Sequence, residues 1–465
     1  MGGLLDALRL REGSPFSLIV GARVLGGATL IEAARRVQGA LARLGVEPRT
    51  VIAFVARLDE PTLLLTVAAL DAGISFLPLH PRASASEHEH LIRAASAVVV
   101  ESTELDLGHL VDPGWLARMA DAARQPRATA ALVATSGTSG EPKLAVLSRK
   151  AFVVSADAST AHLGLRSDDR WLMGLPFAHV GGLSILTRGL VAGRRVVVHR
   201  GFEPEAVLDS LARHDVTLIS VVPSMLEPLF SVDTRGLLSR LRVLLVGGAH
   251  CARELRREAI ARSLPLITTY GLTEACSQVT AQRPGTVNVP GGLDSGHPLP
   301  GVEVRVVDGV IQVRTPALMS GYHGDAPRSC DEFFSTGDCG EIDASGRLIV
   351  SGRSDDVVIT GGENVHPEAV ERVLRAQPGV RDAIVFGVPH PRLGQQVAAL
   401  LVPEPGHPPL AVMERARRGA AAALAGFALP RAVACVGAVP LNALGKPDRR
   451  RAREEHASAL EPWEQ

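Results

Sequence analysis

The sequence predicts an α/β protein: a large N-terminal domain of helix-covered, parallel-rich sheets that ends in a small β region, then a small α+β C-terminal domain. Three observations carry this. Short apolar runs alternate with helical ones up to about residue 280. Near residue 296 the pattern changes to residue-by-residue alternation. From about residue 355 a separate series of helices and strands begins behind a linker at Gly352-Arg-Ser-Asp-Asp356. A chain of 465 residues exceeds one compact core, so two or three domains are expected.

Taken in order, Val51–Val55 reads as a buried strand. A helix opens at Pro61, whose missing N–H costs nothing in the first turn, and ends near Gly73. Ala97–Val100 is a short apolar strand, and so is Ala130–Val133, which leads through a loop at 134–143 into Leu144–Leu147. Helix Ser148–His162 follows, then strand Trp171–Leu175 and an apolar helix after Gly181-Gly182. Arg195–His199, Val216–Val222, Val243–Val246 and Pro265–Thr269 continue the strands, with a helix begun at Glu203-Pro204 between them. Alternation of this kind predicts parallel sheets with ligands at the carboxyl ends of the strands. Val302–Arg314 then alternates about Asp308-Gly309, a hairpin signal, and a second hairpin is expected over Gly340–Ser351. Beyond the linker come helix Pro367–Arg375, strands Ala383–Phe386 and Val397–Val402, an Ala-rich helix Pro409–Leu424 and strand Ala432–Val436. The end, Arg451–Gln465, is charged and reads as a solvated helix or a frayed tail. The domains are therefore expected at 1–353 and 354–465.

Composition narrows the function. Lys and Arg number 49, as do Asp and Glu, so neither a nucleic-acid footprint nor a broad membrane-binding surface is expected. Cys251, Cys276, Cys330, Cys339 and Cys435 show no C-x-x-C spacing and read as reduced cytosolic thiols, not as a disulfide framework or a zinc site. The start, Met-Gly-Gly-Leu-Leu-Asp, lacks the features of a signal peptide, and Asp6 breaks the myristoylation pattern. No apolar run reaches membrane-spanning length, so a soluble, cytoplasmic protein is expected.

The richest segment is Ala134-Thr-Ser-Gly-Thr-Ser-Gly-Glu-Pro-Lys143. Gly137 and Gly140 let the backbone come close to a phosphate, the Thr138 and Ser139 hydroxyls donate, and Lys143 adds a point charge. It is no Walker A loop, because Pro142 precedes the lysine and Leu144 stands where a hydroxyl would bind magnesium. Four more segments follow in order: Tyr270-Gly271-Leu272-Thr273-Glu274, Ser335-Thr336-Gly337-Asp338, Gly352-Arg353-Ser-Asp355-Asp356 running on to Gly361-Gly362-Glu363-Asn364, and Leu444-Gly445-Lys446. Taken singly, each has a plain reading: Tyr270 as sheet packing, Glu274 as a helix-end charge, Asp338 and Asp355 as turn or hinge residues, Lys446 as a solvated loop charge.

Together and in this order, the segments resemble the adenylate-forming superfamily of acyl- and aryl-CoA ligases, luciferases and peptide-synthetase adenylation domains, over about residues 20–450. The resemblance implies two half-reactions. A carboxylate attacks the α-phosphate of ATP to give an acyl-adenylate and pyrophosphate; a thiol, here CoA, then displaces AMP. It implies that Thr138, Ser139, Gly140 and Lys143 hold the β- and γ-phosphates. Glu274 would bind Mg2+ and Thr273 contact the α-phosphate. Tyr270 would stack on adenine beside Gly271 and the Gly247-Gly248-Ala249 backbone. Asp338 would accept from the ribose hydroxyls, Arg353 would support ribose or phosphate, and Lys446 would reach the α-phosphate and the attacking carboxylate. It further implies that the C-terminal domain is mobile and swings about Asp355, exchanging Lys446 for the loop at Gly361-Gly362, past which the pantetheine arm would run.

The segment Leu175-Pro-Phe-Ala-His179-Val-Gly-Gly-Leu-Ser-Ile-Leu-Thr-Arg188 stands where that superfamily's acyl pocket begins. It carries no aspartate to pair with a substrate amino group, which argues against an amino acid. With Tyr270–Thr280 and Gly361–Pro367, it is most similar to the 2-succinylbenzoate–CoA ligases of menaquinone synthesis. Two departures stand out: Gly181 where a serine is frequent, and Leu144 where a glycine is usual after the lysine. The second carboxylate of such a substrate requires a buried partner, and His179 and Arg188 are the candidates, each with a structural alternative. Gly182, Val222, Ser224, Gly248 and Cys276 complete the expected pocket. Other small aryl or acyl acids, or a carrier-protein thiol in place of CoA, stay open. The partners implied are a small carboxylic acid and CoA, with no nucleic acid and no membrane insertion; a homodimer stays open too.

Overall fold

The computed structural model describes residues 8, 10–11, 13–124, 128–135, 142–249, 251–285, 294–354, 356–441 and 447–463, with the side chain of residue 364 set aside. The chain divides into two compact units. The first comprises Met1–Val304, Val313–Phe334 and Ala344–Leu348; the second comprises Arg305–Gln312, Ser335–Asp343 and Ile349–Gln465.

The first unit is built on two sheets with parallel centres. In the nine-stranded sheet the order is His297–Pro298, Ser277–Ala281, Leu266–Leu272, Val243–Val246, Leu218–Val221, Arg170–Met173, Arg195–Val198, Ser17–Val20 and Arg23–Gly26. Strands from Leu266–Leu272 through Ser17–Val20 run parallel, and antiparallel strands close both edges. The five-stranded sheet runs Val98–Val99, Val51–Val55, Ser75–Leu79, Thr129–Thr135 and Lys143–Ser148, with only the last pairing antiparallel. Its middle strands are buried on both faces, hence their continuous apolar runs.

Local signals place the helices. In helix Glu60–Ala72 the Asp59 carboxylate accepts from the Thr62 amide at 3.0 Å, Pro61 sits in the first turn, and Gly73 ends it at φ 84°. A Cβ on Gly73 would also lie 2.2 Å from the Ala123 Cβ, so both backbone and packing demand glycine there. Helix Arg149–Leu163 starts at Ser148, whose hydroxyl accepts from the Ala151 amide. It then reaches across to the strand Ser277–Ala281: Ser155 Oγ donates to the Cys276 carbonyl at 2.7 Å and Ser159 Oγ to Gln278 Oε1 at 2.7 Å. The strand leaving the expected phosphate loop is thereby fixed to the segment around Glu274.

The second unit holds a six-stranded sheet with the long antiparallel pair Val380–His390 and Gly394–Pro403 at its centre. Helices Pro367–Arg375 and Pro409–Ala423 cover an apolar core that includes Val370, Leu374, Val412 and Leu401.

Several sequence expectations are corrected. The strand expected at Ala97–Val100 narrows to Val98–Val99, and Ala383–Phe386 is the middle of a strand spanning Val380–His390. The helix expected after Gly181-Gly182 starts earlier, at Val180, with both glycines in its first turn. The tail is not frayed over its described part. Helix Arg449–His456 is followed by Glu461–Pro462, which pairs with Ala432-Val433, and Trp463 is only 8 % exposed. Its indole joins the apolar core that includes Val370, Leu374 and Leu401, and that burial outweighs the charged sequence before it.

Candidate active site

In the first unit the parallel strands end in a row. Leu218–Val221 is followed by Val222 and Ser224, Val243–Val246 by Gly247-Gly248-Ala249, and Leu266–Leu272 carries Tyr270-Gly271 before the turn Thr273–Ala275. The register Val221↔Val246 and Val246↔Thr268 puts these ends level. A Cβ on Gly247 would lie 2.7 Å from Thr269 Cγ2, and one on Gly248 (φ 83°) would lie 3.4 Å from Val222 Cγ1. The two glycines make this edge shallow enough for a flat ligand. Tyr270 is half-buried, whereas Gly248, Ala249 and Ser224 are exposed.

Glu274 is set by a tightly constrained backbone. A bulge falls between Tyr270 and Gly271, and a Cβ on Gly271 would lie 2.0 Å from the Ser277 carbonyl oxygen. Cys276 (φ 54°) and Ser277 (φ 100°) are left-handed without being glycine, a strain of about 1–3 kcal/mol each that the neighbouring structure must hold. Such strain gathers at functional turns, and here it lies directly after the turn that carries Thr273 and Glu274.

Tyr322 is a site residue that sequence reasoning missed. Its hydroxyl donates to Glu274 Oε1 at 2.7 Å, and Lys143 Nζ lies 5.1 Å from its ring centroid. The segment Ser320–His323 pairs along Leu144–Val146, through Val146 N to the Gly321 carbonyl and His323 N to the Leu144 carbonyl. Lys143, Tyr322 and Glu274 are therefore linked, 179 residues apart in sequence at the extremes, by one strand and one ring. Tyr270 and Tyr322 are the only tyrosines in the chain, and both lie in this region. Leu144 points into a core with Ala53, Leu77 and Leu132, which makes its departure from the usual glycine a packing matter. Thr138, Ser139, Gly140, Asp355 and Lys446 lie outside the described residues.

Helix Val180–Ala192 supplies the acyl-pocket candidates. His179 is its N-cap, with its ring centroid 5.1 Å from that of His80. Burial pulls the His80 imidazole below its ordinary range, with Arg82 and His88 adding to the effect, so His80 is neutral at physiological pH. A Cβ on Gly182 would lie 2.5 Å from the Pro176 carbonyl oxygen, so close packing alone requires glycine there; Gly181 faces open space. Arg188, one helical face further on, is 2 % exposed. It donates through Nη2 to Ser277 Oγ at 3.1 Å and lies over the Trp171 ring at 5.4 Å. Burial pulls the guanidinium down to about 10, and no carboxylate among the described residues pairs with it. Cys276 is wholly buried beside it, its thiol pushed up by burial to about 12.

In the second unit Arg353 Nη1 donates to Asp338 Oδ1 at 3.2 Å, and Thr336 Oγ1 fixes the turn by accepting from the Asp338 amide. Gly361 (φ 61°) and Gly362 (φ 89°) form the two-residue turn of the hairpin Val358–Thr360/Glu363–Val365, a turn type that needs positive φ at both positions. Helix Pro367–Arg375 presents Glu368 and Glu371 to Arg449, whose Nη1 reaches Asp356 Oδ2 at 2.9 Å. Burial, with Glu371, Asp356 and Asp338 nearby, pushes the Glu368 carboxyl up to about 7 against the pull of Arg449. A folded-state value above the ordinary 4.5 means stability that is present below about pH 4.5 and lost as pH rises through about 7. Glu368→Gln removes that loss. Denaturation of the full chain should show the variant gaining on the order of 1–2 kcal/mol on wild type between about pH 5 and pH 8. A difference that does not vary with pH would contradict this assignment.

Comparison with known proteins agrees with the geometry. Residues 18–323 match the family described as AMP-binding enzyme, and residues 369–446 match its C-terminal domain. The chain belongs to the AMP-binding enzyme family. It is 30% identical over 441 residues, 92% of this chain and 93% of that protein, to the 2-succinylbenzoate–CoA ligase of Listeria monocytogenes. It is also 31% identical over 481 residues to the indoleacetate–CoA ligase of Aromatoleum aromaticum, covering 91% of this chain and 92% of that one. In structure it resembles the o-succinylbenzoate CoA synthetase of Bacillus subtilis in complex with the acyl-adenylate intermediate OSB-AMP, with a TM-score of 0.85, 27% identity and 97% of each chain covered.

Proposed function

We propose that this protein is an ATP-dependent acid–CoA ligase that converts 2-succinylbenzoate to its adenylate and then to the CoA thioester, a step of menaquinone biosynthesis. ATP and CoA as co-substrates put the reaction in the cytoplasm. Arg188 carries the choice of acid: a buried guanidinium facing Ser277, with no carboxylate of its own among the described residues, suits a substrate that brings one. An indoleacetate-type acid has a single carboxylate, which the chemistry consumes, and would leave Arg188 unmatched.

The remaining roles follow from charge. Lys143 and the hydroxyls of Thr138 and Ser139, with the Gly140 backbone, neutralise the β- and γ-phosphates. Tyr270 stacks on adenine along the Gly248-Ala249 edge, while Asp338, oriented by Arg353, accepts from ribose. Glu274 offers one hard carboxylate beside the phosphates, which fits magnesium, an ion that keeps most of its waters and takes one or two carboxylates. When bound, that ion would screen phosphate charge; Tyr322 and Thr273 hold the carboxylate and the α-phosphate in place. Lys446 supplies a cation to the attacking carboxylate. The domain from residue 354 onward turns about Asp355, exchanging Lys446 for the Gly361-Gly362 turn beside the thiol path.

AMP release with CoA across a panel of acids tests the reading. Turnover is expected to be highest with 2-succinylbenzoate; turnover with a simple benzoate, indoleacetate or a fatty acid and none with 2-succinylbenzoate would overturn it. An adenylate formed but passed only to a carrier-protein thiol would keep the first half-reaction and replace the acceptor. Tyr322→Phe keeps the ring and loses one hydrogen bond to a charged acceptor, so the Mg2+ needed for half-maximal ATP–pyrophosphate exchange should rise roughly tenfold. An unchanged magnesium dependence would remove Tyr322 from the site.

A further inference from the structure

Arg449, Arg450 and Arg451 stand together just after Lys446, and they behave differently. Arg450 and Arg451 pair with Glu454 and Glu455 one helical turn on, in exposed contacts of the kind that contribute little. Arg449 turns inward, its side chain 12% exposed. Its Nε donates to the Val385 carbonyl at 3.1 Å, Nη1 to Asp356 Oδ2 at 2.9 Å and Nη2 to Glu371 Oε1 at 2.9 Å, with Glu368 at 3.8 Å. One guanidinium thus joins the end of the linker, helix Pro367–Arg375 and strand Val380–His390. Burial alone would lower Arg449, but Glu371, Asp356 and Glu368 outweigh it and hold the charge firmly.

The chain on either side of the segment that bears Lys446 is fixed directly before Arg449. Leu441 and Pro447 pair with each other, the Asp448 amide donates to the Pro440 carbonyl at 2.9 Å, and the Asp448 carboxylate caps the helix by accepting from the Arg451 amide. Arg449 is the first residue of that helix.

We propose that Arg449 is a positioning residue for the adenylation half-reaction: three residues beyond Lys446, it ties the helix that it opens to Asp356, one residue beyond the pivot. This rests on the roles given above to Lys446 and Asp355. Lys446 is thereby kept within three residues of a point fixed to the far side of the pivot. A misplacement of about 1 Å at a reacting group can cost roughly a hundredfold in rate.

The test measures two half-reactions separately: ATP–pyrophosphate exchange with 2-succinylbenzoate, and CoA-dependent consumption of the preformed acyl-adenylate. Arg449→Met should slow exchange by roughly thirty- to a hundredfold in kcat, with KM for ATP and consumption of the adenylate each within about threefold. Arg449→Lys should recover part of the loss. Asp356→Asn should reproduce it, and Arg449→Met with Asp356→Asn together should be no worse than Arg449→Met alone. Undiminished exchange in Arg449→Met, or parallel loss of both half-reactions in Arg449→Lys and Asp356→Asn, overturns the proposal. Lys446→Ala run alongside separates the failures. If it keeps exchange, the role of Lys446 fails and the proposal with it; if it loses exchange while Arg449→Met does not, the proposal alone fails.

Discussion

Lys446→Ala is expected to slow ATP–pyrophosphate exchange by about a thousandfold, the loss typical of removing one pre-placed donor from developing negative charge. Two anionic reactants, a carboxylate and an α-phosphate, must meet, and no other cation is assigned to the point where they do. CoA-dependent consumption of a supplied acyl-adenylate should stay within roughly threefold of wild type, because the roles given to Thr273, Tyr270 and Asp338 hold the leaving AMP without Lys446. Equal losses in the two half-reactions would mean that Lys446 serves the fold or both steps, and the exchange of two faces by a turning domain would lose its support.

Arg188→Met should lower kcat/KM for 2-succinylbenzoate by roughly a hundred- to a thousandfold, the cost of leaving a buried carboxylate without its hydrogen-bonded cation. A single-carboxylate aryl acid should lose little, since it never used the guanidinium. Stability supplies an independent readout. In the free protein Arg188 is a buried charge facing a serine hydroxyl and the Trp171 ring, not an acid. A methionine of similar length replaces a desolvation cost with packing, so the thermal midpoint should hold or rise. Retained activity on 2-succinylbenzoate together with a lower midpoint would make Arg188 a structural residue.

Much of the fold was legible because local chemistry and tertiary placement agree. Val51–Val55 and Val243–Val246 are short apolar runs buried on both faces, and Pro367–Arg375 carries its own start signal and an apolar stripe. Other elements hid behind mixed signals. Ser75–Leu79 contains Pro78, which argues against a strand until its place between Val51–Val55 and Thr129–Thr135 is seen. Ser17–Val20 and Arg23–Gly26 are too short to show a period. The motif glycines were legible as sites of close approach; Gly247 and Gly271 have the neighbours that require them, and Gly248 has the positive φ that does. Gly182 and the Gly361-Gly362 turn also satisfy packing and turn geometry.

Two residues could not be read from their own neighbourhoods. Tyr322 sits in Ser-Gly-Tyr-His-Gly-Asp, a sequence that reads as a loop, and gains meaning only because pairing with Leu144–Val146 brings its hydroxyl to Glu274. Arg449 is one of three consecutive arginines followed by Glu454 and Glu455, the pattern of a solvated helix. Its partners, Asp356, Glu371 and the Val385 carbonyl, lie 93, 78 and 64 residues away. Non-local partners of this kind leave no trace in local spacing.

Acid-dependent exchange of labelled pyrophosphate into ATP, with CoA left out, tests the two-step chemistry most directly. Rapid exchange that starts on addition of 2-succinylbenzoate and Mg2+ is the expected result. Exchange absent with every acid offered, or appearing only once CoA is present, would contradict an adenylate formed before the thiol arrives.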